Sequence, residues 1–135
     1  MAQQKLTADQ ERRLNNLADL GKTISHVRTL VGELESSRAA KASIIANLCG
    51  TIARELSQMR QRLLTAPIGT VADIAGSLAI MAARSGGLNV KLRGLADGLN
   101  SIDMQLDQAT KSVLAEGKDK AKEKEQKPGS SSPAA

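Results

Sequence analysis

The sequence contains one histidine, His26, and one cysteine, Cys49, the residue types that most often exchange protons or act as nucleophiles near neutral pH. One histidine cannot supply a pair of histidine ligands, and neither residue is accompanied by a Cys/His metal spacing or a phosphate-binding loop. The sequence therefore predicts a protein that is not an enzyme, with no catalytic residue, no metal site and no cofactor.

The residues around the histidine, "SHVRTL", are similar to the phosphoacceptor box of sensor histidine kinases, in which Ser-His is followed by an acidic residue and then Leu-Arg-Thr-Pro-Leu. This resemblance implies phosphotransfer at His26. The run departs from the box because it is one residue shorter, has Val27 in place of the acidic residue and lacks the proline, and no nucleotide-binding segment accompanies it. We expect His26 to be an ordinary exposed residue on the solvent side of a helix.

The absence of Phe, Tyr and Trp sets the fold class. An aliphatic core suits packed helices, in which Leu and Ala have high propensity. It also excludes the aromatic platforms on which single-stranded nucleic acids stack. A chain of 135 residues has room for one domain. The composition thus predicts a single all-α domain, over residues 1–115.

The first predicted helix covers about 8–35 and begins with a capping box between Thr7 and Gln10. Its apolar residues alternate spacings of three and four, which is a heptad pattern. We assign these residues to an oligomer seam that pairs helices of different copies: Leu17, Leu20, Ile24, Val27, Val31 and Leu34.

The second predicted helix covers about 38–65, and Pro67 ends it. The segment between the first two helices has two interpretations, a break at Ser36–Ser37 with a serine capping the next helix, or one continuous helix with a phase shift. We favour the break. Cys49 falls on the apolar face of this helix, so we expect its thiol to be buried.

The third helix is predicted at 71–84, capped by Thr70, and its apolar composition suggests that it is the most buried of the four. The fourth is predicted at 88–115, with Gly117 following it. Gly94 and Gly98 lie outside its apolar seam and suggest a second contact surface. Residues 116–135 have no apolar face and many charges, so we predict a disordered tail.

The N-terminal residues lack the apolar run of a secretory signal, and the single cysteine is typical of a reduced compartment. The apolar stretch at 66–83 contains Asp73 and Pro67, which argues against a membrane span. We expect a cytoplasmic protein without a membrane partner.

Basic residues are concentrated in the middle of the chain, where residues 36–95 hold eight Lys and Arg against two Asp and Glu. Such an excess binds phosphates by releasing counterions, or it simply solvates helical surfaces. The candidate residues for a nucleic acid or another anionic partner are Arg54, Arg60, Arg62, Arg84, Lys91 and Arg93.

Together these patterns predict an all-α helical bundle, or paired coiled-coil-like hairpins, that forms a homo-oligomer, most simply a dimer. Its predicted function is binding: a self-associating helical adaptor or structural protein that presents a basic surface to a macromolecular partner, with a protein partner favoured. The alternative is a nucleic-acid accessory protein of chromosome, plasmid or phage type. That alternative requires the cations to share one face, whereas an adaptor allows them to scatter or to pair with Glu33, Glu35 and Asp97.

Overall fold

The structure is a computed structural model that describes residues 6–84 and 86–130, with side-chain surroundings as far as residue 116. Its elements are four helices: α1 (Ala8–Ser36), α2 (Ala42–Leu63), α3 (Val71–Ala83) and α4 (Leu88–Ser130). The described residues contain no strand, so the all-α prediction is confirmed.

The start of α1 follows the predicted capping box. The hydroxyl of Thr7 accepts a hydrogen bond of 3.0 Å from the backbone N–H of Gln10, and the Gln10 side chain accepts one of 2.8 Å from the N–H of Thr7. These bonds satisfy two donors that the first turn leaves without helical partners.

The chain breaks between α1 and α2, as we favoured, but not for the predicted reason. Ser37 follows the end of α1, and α2 begins at Ala42, four residues later than the predicted start at 38. Lys41 occupies the N-cap and makes no side-chain capping bond. No serine therefore caps α2.

Thr70 also has a different role from the predicted one, because its side chain does not cap α3. Its hydroxyl accepts a hydrogen bond of 2.9 Å from the side-chain amide of Gln105, and its N–H donates one of 2.8 Å to the oxygen of the same amide. These two bonds fix the connection between α2 and α3 to the middle of α4.

Helix α4 begins at the predicted residue and continues to Ser130, so Gly117 does not end it and the predicted boundary at 115 is too early. Since Gln10 bonds to Val113, α4 extends past the start of α1. The disordered tail at 116–135 stays a prediction, because side chains beyond 116 are not described and residues 131–135 lie outside the described part of the chain.

Each helix packs against the next one along the chain, and α1 also packs against α4, which closes a ring. Helices α1 and α4 are antiparallel, because Gln10 contacts Val113 while Arg28 contacts Asp103. All four helices contribute to one aliphatic core, whose fully buried members include Leu20, Ile24, Leu56, Leu95 and Ile102.

Gly94 and Gly98 of α4 form the second contact surface that the sequence suggested, and that surface faces α3. A Cβ atom added at Gly98 would lie 2.6 Å from the methyl carbons of Leu78, and one added at Gly94 would lie 2.5 Å from the sulfur of Met81. Glycine therefore lets the two helices approach closely.

Helix α3 is less enclosed than its composition suggested. Val71, Ala75 and Ala82 are fully buried, but Ile80 keeps 57% of its surface exposed. The reason is topological: a helix at a corner of a ring packs against two neighbours and leaves its outer side to solvent. Even so, α3 has the largest buried share of the four helices, as predicted: five of its 13 residues are buried, against seven of 29 in α1, five of 22 in α2 and six of 29 in residues 88–116 of α4.

Candidate functional site

The predicted cationic residues of α2 have different surroundings. Arg60 packs beside Gly76 of α3, where an added Cβ would lie 2.9 Å from the Cδ atom of the arginine. Arg62 reaches the other neighbour, with 3.4 Å between its guanidinium and the Thr23 hydroxyl of α1. Arg54 is exposed. These three arginines do not form one patch.

The remaining three cations lie near the other end of the bundle, on two different sides. Arg84 follows the end of α3, and the ammonium group of Lys91 donates a hydrogen bond of 3.3 Å to the carbonyl of Ala82. Both residues line a hollow between α3 and α4. Arg93 instead lines a hollow between α1 and α4, together with Glu35 and Asp97.

The six cations therefore spread over every side of the ring instead of sharing one face. Among the described residues, none of them has a carboxylate oxygen within 4.0 Å, and of the three expected acidic partners only Glu35 takes part in an ion pair, with Arg38 at 3.9 Å. The six predicted cations are thus scattered and solvated in the structure.

In the described part of the chain, two ion pairs join helices; both involve arginines outside the predicted set, and both lie between α1 and α4. Arg13 donates hydrogen bonds of 2.8 and 2.6 Å to the two carboxylate oxygens of Glu116, and this partner raises the pKa of the Arg13 guanidinium above its usual range. Arg28 donates to Asp103 at 3.0 Å and to Asn100 at 2.8 Å. These residues position α1 on α4 and are not free for a ligand.

The residues assigned to an oligomer seam are used inside the chain. Five of the six are buried in its own core: Leu17, Leu20, Ile24, Val27 and Leu34. Val31 is only half-buried, and the neighbouring Leu30 takes the buried position instead. The spacing identified a real apolar face, and in this structure that face contacts helices of the same chain.

The single histidine and the single cysteine lie where the apolar spacing placed them. His26 is exposed on α1, and Cys49 keeps only 5% of its surface exposed in the core. Within the described residues, no three His, Cys, Asp or Glu side chains come together in an arrangement that could hold a metal ion. Nor is any described helix both long enough and apolar enough to cross a bilayer.

The most distinctive surface is the hollow between α3 and α4, which we call the α3–α4 groove. Its volume is about 460 Å³, and its lining side chains are Ser77, Ile80, Met81, Arg84, Val90 and Lys91, completed by the backbone of Gly86 and Gly87. Two large apolar residues are exposed there, Ile80 at 57% and Val90 at 71%. The groove therefore combines exposed apolar side chains with two cations.

Sequence reasoning found the cations of this groove but not its apolar side chains. Arg84 and Lys91 belonged to the predicted cationic set, whereas Ile80 lies on the helix that was expected to be the most buried. One signal was present in the sequence: Val90 lies outside the seam of α4, so its exposure follows from the spacing of Leu88, Leu92 and Leu95.

In comparisons with known proteins, no family model, no curated protein and no solved structure matches the chain.

Proposed function

We propose that this protein is a non-enzymatic helical binding protein that holds a protein partner against the α3–α4 side of its bundle. The observation that carries the proposal is the pair of exposed apolar side chains, Ile80 and Val90, in one concave surface next to cations. Protein interfaces combine an apolar centre with a polar rim, and such a surface fits that description.

The arrangement of the cations supports a protein partner over a nucleic acid. Binding to duplex phosphates draws its free energy from many cations that act along one surface. Here Arg60 lies between α2 and α3, Arg62 between α2 and α1, and Arg93 between α4 and α1. A duplex that contacted one side of the ring would reach only a few of the predicted residues, so the nucleic-acid alternative receives less support.

Self-association through α1 receives less support than binding at the groove, because residues assigned to the seam are buried in the core of a single chain. A dimer would need another surface. The proposal therefore places the binding surface on α3 and α4 and treats α1 and α2 as the scaffold that holds these two helices in place.

Site-specific photocrosslinking in cells of the source organism tests this function. A photoreactive amino acid replaces Val90, and in a matched control it replaces His26, which is exposed on α1. We expect a discrete crosslinked protein from position 90 and none from position 26. The same products from both positions, or none from either, would contradict the proposal.

A further inference from the structure

We infer that the α3–α4 groove binds an acidic amphipathic helix of the partner protein. Apolar side chains of that helix contact Ile80 and Val90, and its carboxylates contact Arg84 and Lys91. The inference rests on the proposed function and names the chemistry of the partner.

The exposed apolar side chains of the groove explain why the partner helix must have an apolar face. Ile80 and Val90 are among the most exposed large apolar residues of the described chain, and covering such area is favourable by about 25 cal/mol per Å². Met81, half-buried between them and the core, has a flexible thioether that adapts to different shapes.

The charges explain why the partner must be acidic. Of the residues that the structure describes, two cations and no carboxylate line the groove. Lys91 uses one ammonium donor on the Ala82 carbonyl at 3.3 Å, which holds the group at the groove and leaves further donors for a ligand. The first turn of α4 contains no acidic residue, so the positive end of its helix dipole adds to the same potential.

The two cations lie where α3 connects to α4, because Arg84 follows the end of α3 and Lys91 is in the first turn of α4. Asp73, the acidic residue of α3, lies about two turns before Ile80 and lines a separate hollow with Arg60. A partner helix with clustered Glu or Asp residues at one end and apolar residues along one face complements both features. Complementary potentials of this kind select partners and suppress wrong ones.

A synthetic probe tests the inference directly. The probe is a helix-forming peptide with leucines three and four residues apart, glutamates on the flanking positions and one tryptophan. Since the protein contains no Trp, Tyr or Phe, tryptophan emission reports the peptide alone. A matched peptide carries lysines in place of the glutamates. We expect the glutamate peptide to bind at least tenfold more tightly; equal affinities would overturn the inference.

Variants of the full chain locate the site. Ile80→Asp and Val90→Asp should each weaken binding of the glutamate peptide at least tenfold, and Arg84→Glu at least fivefold. Matched controls are Met104→Asp, at a residue 62% exposed elsewhere on α4, and Arg54→Glu on α2; both should stay within twofold of wild type. Far-UV circular dichroism verifies the fold of each variant. Equal effects from groove and control variants would reject the site.

Two further outcomes separate the inference from the proposed function. A crosslinked partner at position 90, combined with no binding of the glutamate peptide, overturns the acidic-helix inference and leaves the proposed function standing. If neither a crosslinked partner nor binding of the glutamate peptide is observed, both the proposed function and the acidic-helix inference are overturned. Binding to vesicles of mixed anionic and neutral phospholipid that depends on Ile80 and Val90, without binding of the peptide, would assign the groove to a membrane surface and overturn the inference.

Discussion

The side-chain amide of Gln10 donates a hydrogen bond of 3.1 Å to the backbone carbonyl of Val113, which joins the first turn of α1 to α4. The oxygen of the same amide accepts the N–H of Thr7, so one buried side chain completes the helix cap and forms a contact between helices. Only a side chain that both donates and accepts can do this.

Replacing Gln10 by Glu should therefore destabilise the bundle more than removing the cap alone. The carboxylate keeps the acceptor for Thr7 but faces the Val113 carbonyl without a donor, which should cost about 1–3 kcal/mol. Thr7→Ala should cost about 1 kcal/mol. Urea unfolding followed by circular dichroism measures both. A Gln10→Glu protein as stable as wild type at neutral pH would refute the role of this contact.

The glycines of α4 and α2 should respond differently to alanine. At Gly98 a methyl group collides with the buried Leu78, and overpacking costs of about 1–3 kcal/mol should offset or exceed the gain of about 1 kcal/mol in helix propensity. At Gly50 an added Cβ meets no atom within 4 Å, so Gly50→Ala should stabilise the protein by up to about 1 kcal/mol.

Gly94 is the intermediate case, because its neighbour Met81 is half-buried and flexible. Gly94→Ala should be close to neutral. Thermal unfolding of the three variants under one condition gives the order of stability, with Gly50→Ala highest and Gly98→Ala lowest. The reverse order would show that α3 and α4 are not in close contact at Gly98.

Truncation of Leu20 distinguishes a core residue from an oligomer contact. Since Leu20 is fully buried within one chain, Leu20→Ala should reduce the free energy of unfolding by about 2–5 kcal/mol and leave the molecular mass unchanged. Light scattering and urea unfolding measure the two quantities. If the wild-type protein were a larger species and Leu20→Ala converted it into single chains of 14.2 kDa, that result would support the predicted oligomer seam.

Duplex DNA should bind only weakly, because the cations are dispersed. In fluorescence anisotropy titrations we expect affinity at about 50 mM salt to be lost by about 200 mM. Neutralising Arg54, Arg60 and Arg62 together should change it little, since these residues do not share a surface. Binding that survives the higher salt and disappears in the triple variant would favour the nucleic-acid alternative.

The sequence predicted those parts of the fold that depend on local spacing. The capping box, the start of α4 and the burial of Cys49 all follow from residues within one or two helical turns. Local signals misplaced the start of α2 and the end of α4, and another error concerns an interaction between distant residues. Thr70 carries a capping signal, yet its hydroxyl is engaged by Gln105, whose nearness in space no local pattern encodes.

The candidate site shows the same division. Arg84 and Lys91 could be proposed from charge alone, but Ile80 has the composition of a core residue and is exposed because of the order in which the helices surround the core. Whether the seam of α1 joins a neighbouring helix of the same chain or of another copy also depends on that order, because the heptad pattern is the same in both cases.

The ring closes where the first and last helices meet, and this determines how the bundle bears a mechanical load. Because Gln10 and Val113 are neighbours, a force applied at the two termini pulls α1 and α4 apart from the same end. Their contacts, including Arg13–Glu116 and then Arg28–Asp103, are loaded one after another instead of all at once. The bundle should therefore unzip under tension, while a force applied at opposite ends of α1 and α4 would have to shear the whole interface.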